Sequence, residues 1–594
     1  MRAINLLYEE NIVMETTEKS NRLAKIISTV VVLAIIAGLE YLFFEKVLFS
    51  DALIGETNDS RLNNLLVEHW FHAFTGKESF SVVNIFYPMP DTVAFTDMLV
   101  GFAIPYSILR AFGMNMFLAN KIVLIAFHIF GSYTFYYLLK RKFKIDSFWS
   151  LVGVVIFSYS SAYYVRIGHT QLMAISLIPI LIIFIYSFFE KFESNKKRIL
   201  YAVLSITTYA LIMYTSWYTA FFTALFFVTL ILTYLIVSYS NKNRVLKVVF
   251  EYIKTCWKEV VAYCIYAICI VIPFFKLYIP VSKMFGKRTY GEIVSQLPEL
   301  IDFFNVSTGN RMLGWLMEKM NLNGRYETKG MFVWELYVGF SIIVMGLLVF
   351  LFFYIRRKYL KQKYSLIEKT GVYDNQDMTL RVSLIYAVFV SFLLLVQSNG
   401  ASLWLFVYKL FPGASAIRAV VRYNFFLTIP VAIVIAVNGY KICSGFEWKK
   451  GFAVAIPLVL SALIWYSNSN TVGIQSDWNI SEEERQISTV SAPPDDCEAM
   501  YIIDTKPDSH TYYGEKYSWI SYQHFAWEIC EKYDIKNLNG YSGQFPIGWV
   551  LNNADDVKNI HKYATDWIEG TNVSLKVYYY DMGTDTWHEY VPVK

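Results

Sequence analysis

The chain has 594 residues, 55% of them hydrophobic and 18% aromatic, with a formal net charge of +5. A soluble chain of this length divides into several domains with alternating apolar patterns. Here the apolar residues come in blocks of roughly 17–25, the length that crosses a bilayer as a helix, and the basic residues cluster between blocks, where they set topology and are no nucleic-acid site.

The first block, Ile26 to Phe44, follows Lys19, Arg22 and Lys25. It is too long for a signal-peptide core and lacks a small-x-small cleavage site, so it reads as a retained signal anchor. Basic clusters follow at Lys140-Arg141-Lys142, Lys196-Lys197-Arg198, Lys242 to Lys258, Arg356-Arg357-Lys358, and Lys441 with Lys449-Lys450. Placing them on the cytoplasmic side predicts spans near 24–48, 117–139, 147–165, 171–189, 199–215, 218–239, 260–280, 332–355, 382–397, 423–440 and 452–468. That is about eleven, with the N-terminus cytoplasmic and the C-terminus extracytoplasmic. Met98 to Gly113 is apolar but short and is interrupted by Gly101, Pro105 and Arg110, so it reads as a re-entrant or interfacial piece. Leu403 to Phe411 looks similar.

The expected fold is an all-α polytopic membrane domain over 1–468, with large outer loops at 50–116 and 281–331, and a small extracytoplasmic α+β domain over 469–594. In that tail Met500 to Ile503 and Ser574 to Tyr580 read as strands, while Trp519 to Tyr533 and Ala554 to Glu569 have helical spacing. Cys497 and Cys530 are the two tail cysteines, and either a disulfide or two free thiols fits an oxidising compartment.

The first outer loop concentrates the chemistry. Leu62, Leu65, Leu66, Trp70, Ala73 and Phe74 recur at three- and four-residue spacing, with Arg61, Asn64, Glu68 and His72 opposite. This predicts an amphipathic helix in the membrane interface, capped by Asn58, Asp59 or Ser60. Asp59 then reads either as an N-cap or as a general base, a carboxylate within reach of an attacking hydroxyl. Asp97 is a second acidic candidate, for orienting an acceptor, for holding a divalent cation, or for capping the helix that follows. Glu68 is either a further acid or a solvated face residue, and His69 falls on the apolar side.

Cations supply the other half. Arg166 and His169 lie in one outer turn, and Arg418 and Arg422 stand four apart at the outer start of the tenth span, the spacing of one helix face. Outer loops are poor in arginine; a lipid phosphate gives these a reason, since guanidinium forks onto phosphate oxygens, and ordinary phospholipid headgroups are the plainer one. Lys287, Arg288 and Glu292 form a weaker set. No Gly-x-x-x-x-Gly-Lys loop, no Gly-x-Gly-x-x-Gly and no outer Asp-x-Asp occurs, so nothing here handles ATP, dinucleotides or metal-chelated sugar nucleotides. An enzyme on that face needs its activated group delivered on a lipid.

Asn58-Asp59-Ser60-Arg61-Leu62, Glu68-His69-Trp70, Phe86-Tyr87-Pro88, Gly168-His169-Thr170-Gln171, the Pro412-Gly413 run ending at Arg418 and Arg422, and Asn539-Gly540-Tyr541-Ser542-Gly543 resemble the bacterial YfhO-like proteins. More broadly they resemble the membrane-embedded GT-C class of glycosyltransferases. The resemblance implies a catalytic Asp in the first outer loop, which Asp59 matches best, and a polyprenyl-phosphate sugar donor. The expected enzyme is a bacterial plasma-membrane glycosyltransferase using Asp59, with Asp97 or Glu68 as a second acid. Arg418, Arg422, Arg166 and His169 would meet the donor phosphate, and Tyr541, Trp549 and Trp567 the acceptor, an envelope glycan, polymer or lipid. No cofactor is demanded beyond a candidate divalent cation. A transporter or flippase of a lipid-linked glycan, and a non-catalytic envelope-assembly scaffold, are the rival readings. The first wants ionisable groups inside several spans, where only Glu40 and His128 stand out.

Overall fold

The computed structural model describes residues 2–190, 194–238, 242–304, 310–321, 375–444, 450–469 and 478–592. Among them nine helices are long and apolar enough to cross a membrane: Arg22–Leu48, Met116–Lys142, Thr170–Glu190, Asn195–Thr215, Trp217–Val237, Trp257–Phe285, Met378–Leu395, Val420–Cys443 and Gly451–Asn468. Each falls on an expected span, and the chain is an integral membrane protein. The span expected at 332–355 lies outside the described residues.

The span expected at 147–165 is not one continuous helix. It runs Ser147–Ser158, breaks, and resumes as Ser161–Arg166. A break inside an apolar layer needs partners for the freed backbone groups, and a neighbouring helix supplies one. His128 Nε2 sits 2.9 Å from the Ser158 carbonyl, while its Nδ1 is 2.7 Å from Glu40 Oε2. Tyr159 then donates to Glu40 Oε1 at 2.9 Å. The two ionisable groups that stood out within the spans therefore pair with each other and hold a bend, which weakens the transporter reading.

Helix α1 (Arg2–Leu48) leads into α2 (Asp59–Phe74), α3 (Val100–Ala111) and α4 (Met116–Tyr137). At 1.5 Å per residue α3 is about 18 Å long, too short to cross a hydrocarbon layer of roughly 30 Å. Gly101 lets it close on the end of the Asn195–Thr215 helix: its N–H meets Thr215 Oγ1 at 2.9 Å, and a Cβ there would lie 2.4 Å from that oxygen. Leu403 to Phe411 likewise contains only the short helix Trp404–Leu410, after a two-residue hairpin of β1 (Gln397–Ser398) and β2 (Ala401–Ser402).

The tail forms a four-stranded sheet of β3 (Ala499–Ile503), β4 (Lys536–Asn537), β5 (Val577–Asp581) and β6 (Thr586–Glu589), in the order β4-β3-β5-β6. β3 is parallel to β4 and β5, and β6 returns antiparallel. Parallel neighbours need crossovers, supplied by Trp519–Tyr533 and Val557–Gly570. All five residues of β3 are buried, as expected for a strand covered on both faces. Cys497 and Cys530 are both free, buried thiols.

The polar face of α2 is not wet. Twelve of its sixteen residues are buried, including Arg61, Asn64 and Glu68 from the face expected to be wet. The tail covers that face with carboxylates: Arg61 forks onto Glu528 with two 2.7 Å bonds and lies 3.1 Å from Glu483. Next to it the backbone of Phe86 and Tyr87 donates to Asn539 and Asn537, both at 2.9 Å. Gly540 admits the Phe86 ring, which a Cβ would meet at 2.6 Å.

Candidate active site

Three anchors place the start of α2. Lys121 Nζ, at the top of α4, donates to the carbonyls of Val47, Ser50 and Ala52 at 2.8–3.1 Å, fixing the end of α1. Gly55 turns the chain at φ +104°. Ser60 Oγ then accepts from Glu56 N at 3.1 Å and donates to the Gly168 carbonyl at 2.7 Å, tying α2 to the turn that carries Arg166 and His169.

Asp59 is the first residue of the helix, and Asn58 occupies the cap position without a side-chain cap bond. The Asp59 carboxylate is therefore not spent on capping, although the helix dipole favours its charge. Tyr541 donates to Oδ1 at 3.2 Å, His169 Nε2 lies 3.4 Å from Oδ2, and 32% of the side chain is exposed. These contacts are long, and the carboxylate is open to a visitor. Burial, helped by the charges of Arg422 and Arg166, holds the His169 imidazole well below its ordinary pKa. At neutral pH it is thus an uncharged hydrogen-bonding group beside Asp59.

Arg422 stacks its guanidinium 5.1 Å from the centre of the Tyr218 ring, and the Tyr218 hydroxyl accepts from the backbone of Arg418 and Ala419 at 3.1 and 3.2 Å. Arg418 and Arg422 do not share a helix face. Arg418 stands in irregular chain and Arg422 closes a short 3-10 turn, Val420–Arg422, because Tyr218 takes the amides that a helix would have used. Their charges still reach groups next to Asp59. The charge of Arg422 acts on His169 and Asp97, and that of Arg418 on Tyr541.

Asp97 accepts from Trp217 N at 2.8 Å, the first N–H of the Trp217–Val237 helix, whose cap is Ser216, and the helix that follows Asp97 in sequence has no side-chain cap bond. Burial pushes its carboxyl up to about 6, against the pull of the Trp217 N–H and Arg422. The sign is testable. With about 3.8 unfolded and about 6 folded, the native chain holds the extra proton between those limits. The stability from this group is full below about pH 3.8 and is lost as pH rises through about 6. Asp97→Asn is expected to gain stability relative to the parent across that interval in melting curves, and a parallel pair of curves would refute the assignment.

The structure does not bring Glu68 to Asp59. It lies nine residues on, about 13 Å by helical rise, and is held by Arg110 through bonds of 2.8 and 2.7 Å and by Tyr106. Trp549 and Trp567 are also not free to meet an acceptor. Both are buried, with indole N–H groups bonded at 2.9 Å to the Leu538 and Tyr87 carbonyls. Arg288 of the weaker set pairs with Glu292 at 2.6 Å. Sequence reasoning missed Glu56, whose carboxylate takes the Asp59 N–H at 3.2 Å, and the rings around Tyr541. Trp519 and Phe545 pack 5.5 and 6.1 Å from it and are 38% and 37% exposed. Only their aromatic character signalled them, and the tail is full of aromatics.

No protein-family model matches the chain, and no curated protein matches it. Among solved structures it is similar to the archaeal oligosaccharyltransferase AglB from Archaeoglobus fulgidus, determined in complex with an inhibitory peptide and a dolichol-phosphate. The identity is 13%, the TM-score 0.41, and the match covers 93% of this chain and 69% of that one. At that distance only the protein's own side chains speak to function.

Proposed function

We propose that the protein is a membrane glycosyltransferase that moves a sugar from a polyprenyl-phosphate carrier to an acceptor hydroxyl on the extracytoplasmic face. The observation that carries this reading is the setting of Asp59: an open carboxylate beside a neutral imidazole and Tyr541, with the charges of Arg166 and Arg422 acting on the imidazole and that of Arg418 on Tyr541. The resemblance of Asn58-Asp59-Ser60-Arg61-Leu62 to the GT-C first loop points the same way.

In this reading the acceptor oxygen attacks the anomeric carbon while Asp59 takes its proton. The bond from that carbon to the phosphate oxygen breaks with its electron pair, and the lipid phosphate leaves with one more negative charge. Arginines fixed before the reaction stabilise that charge without reorganising. Attack opposite the leaving group inverts the sugar. His169 and Tyr541 hold the carboxylate in place, and Trp519 and Phe545 offer exposed aromatic faces on which an acceptor sugar can stack.

The test is to incubate the purified full chain with labelled polyprenyl-phosphate sugars and envelope glycans. Product formation with release of lipid phosphate is expected, and absence of transfer across donors and acceptors refutes the reading. Arg418→Gln with Arg422→Gln should weaken donor binding and leave the melting temperature unchanged; equal donor use would reduce both arginines to headgroup anchors. For the acceptor, Trp519→Ala should raise its KM while stability stays within about 0.5 kcal/mol, as for surface changes. Trp549→Ala should instead destabilise the tail by about 3–5 kcal/mol, the cost of emptying a buried indole site. Reversed outcomes would restore Trp549 as the sugar platform.

A further inference from the structure

About 20 Å along α2 from Asp59 by helical rise, a second polar cluster lies where the membrane part meets the tail. It takes His72 from α2, Glu78 from the chain just after it, and Glu531 from the Trp519–Tyr533 helix. We propose that these three side chains bind one divalent transition ion, with Zn²⁺ the best match, and that the ion ties the tail to the first outer loop.

Each ligand turns one atom toward a common point, and both carboxylates have their other oxygen held. His72 Nδ1 faces Glu531 Oε2 at 2.9 Å and Glu78 Oε1 at 3.8 Å, while its Nε2 lies 3.5 Å from Glu68. Glu531 has its Oε1 bonded by Trp527 Nε1 at 2.7 Å, and Glu78 has its Oε2 bonded by His69 Nδ1. Glu68 is itself fixed by Arg110. This approaches the outer-shell pattern that orients metal ligands: a carboxylate 3.5 Å from the far nitrogen of the histidine, and donors on the non-ligating oxygens. The three inward atoms lie within 4.8 Å of one another. Tetrahedral zinc with bonds of about 2.0–2.1 Å sets its ligands about 3.3–3.4 Å apart, so small side-chain motions close the site. A mixed imidazole and carboxylate set suits zinc better than magnesium or calcium, which take oxygen alone.

Glu68, Glu78 and Glu531 share Arg110 and the His72 imidazole, which these carboxylates hold in its protonated form, and a bound dication would take the place of that proton. The ligand side chains are 15%, 14% and 9% exposed, so an ion can enter and a water can take the fourth position.

The test uses the full-length protein, without a polyhistidine tag, stripped with chelator and then given Zn²⁺ or Co²⁺ alone. Expected are one bound equivalent, visible tetrahedral Co²⁺ bands, and a melting temperature that rises with added Zn²⁺. Glu531→Gln and Glu78→Gln should each weaken binding more than about 100-fold, beyond the 10–100-fold typical of outer-shell changes, and abolish the thermal shift. Less than one equivalent on the parent, no thermal shift at saturating Zn²⁺, or variants that bind as tightly as the parent would each overturn the site. Should a variant fail to fold, the parent's stoichiometry and thermal shift still decide. None of these readouts involves sugar transfer, so this site and the glycosyltransferase reading stand or fall separately.

Discussion

Asp59→Asn is expected to fold as the parent does and to lose sugar transfer by about 10²–10⁴-fold, the usual loss when a general base is removed. The structural half of this expectation rests on what the carboxylate does not do. It makes no cap bond, and the loop before α2 is held instead by Ser60, Glu56 and Lys121. An amide oxygen at the same place can still accept from Tyr541, so the 3.2 Å contact survives the change. The amide has no useful affinity for a proton, and that is the property the reaction needs. Expression, melting temperature and transfer should be measured side by side. Transfer retained in a normally folded Asp59→Asn protein would falsify the assignment and move attention to Glu56, whose carboxylate touches the same residue.

Arg61→Met carries the second large effect. Arg61 is fully buried between Glu528 and Glu483, which are themselves almost entirely buried, and its guanidinium lies 4.8 Å from the centre of the Tyr512 ring. Both carboxylates lose their countercharge when it is removed, and breaking one side of a buried ion pair costs about 3–5 kcal/mol. The loss should fall on the docking of the tail, read as faster hydrogen exchange at Asn84 to Tyr87 and at Asn537 to Asn539, where the two parts share backbone bonds. Arg61→Lys should recover only part, since an ammonium cannot fork onto both oxygens of Glu528. Adding Glu528→Gln to Arg61→Met should recover stability by removing one orphaned charge. Unchanged exchange in Arg61→Met would show that the pair contributes nothing to docking.

Membrane-spanning helices were legible because hydropathy is a local signal that the bilayer enforces along about twenty residues. The tail was legible for the same kind of reason: Trp519 to Tyr533 and Met500 to Ile503 carry their periodicity within themselves. Failures came where a distant partner decided the outcome. The break after Ser158 depends on His128 and Glu40 from other helices. The helical spacing of Arg418 and Arg422 yielded to the Tyr218 hydroxyl. The polar face of α2 looked wet because a pattern of charges cannot distinguish water from a protein surface bearing Glu483, Glu528 and Glu531. Asp59 and His169 could be named from the sequence, but their meeting with Tyr541 needed the fold.

The bond between Arg61 and Glu528 closes a separation of 467 residues. Ribosomes add about 5–20 residues per second, so the loop carrying α2 emerges roughly 20–90 s before its partner exists. Throughout that interval Arg61, Phe86 and the polar side of α2 near Arg61 lack the cover they have in the finished molecule. The half-built protein therefore carries Arg61 without its buried carboxylate partners for most of its synthesis. The candidate active site is also completed last, when Tyr541 arrives at Asp59. A chain stopped short of the tail has its membrane helices but an Asp59 that lacks its Tyr541 partner.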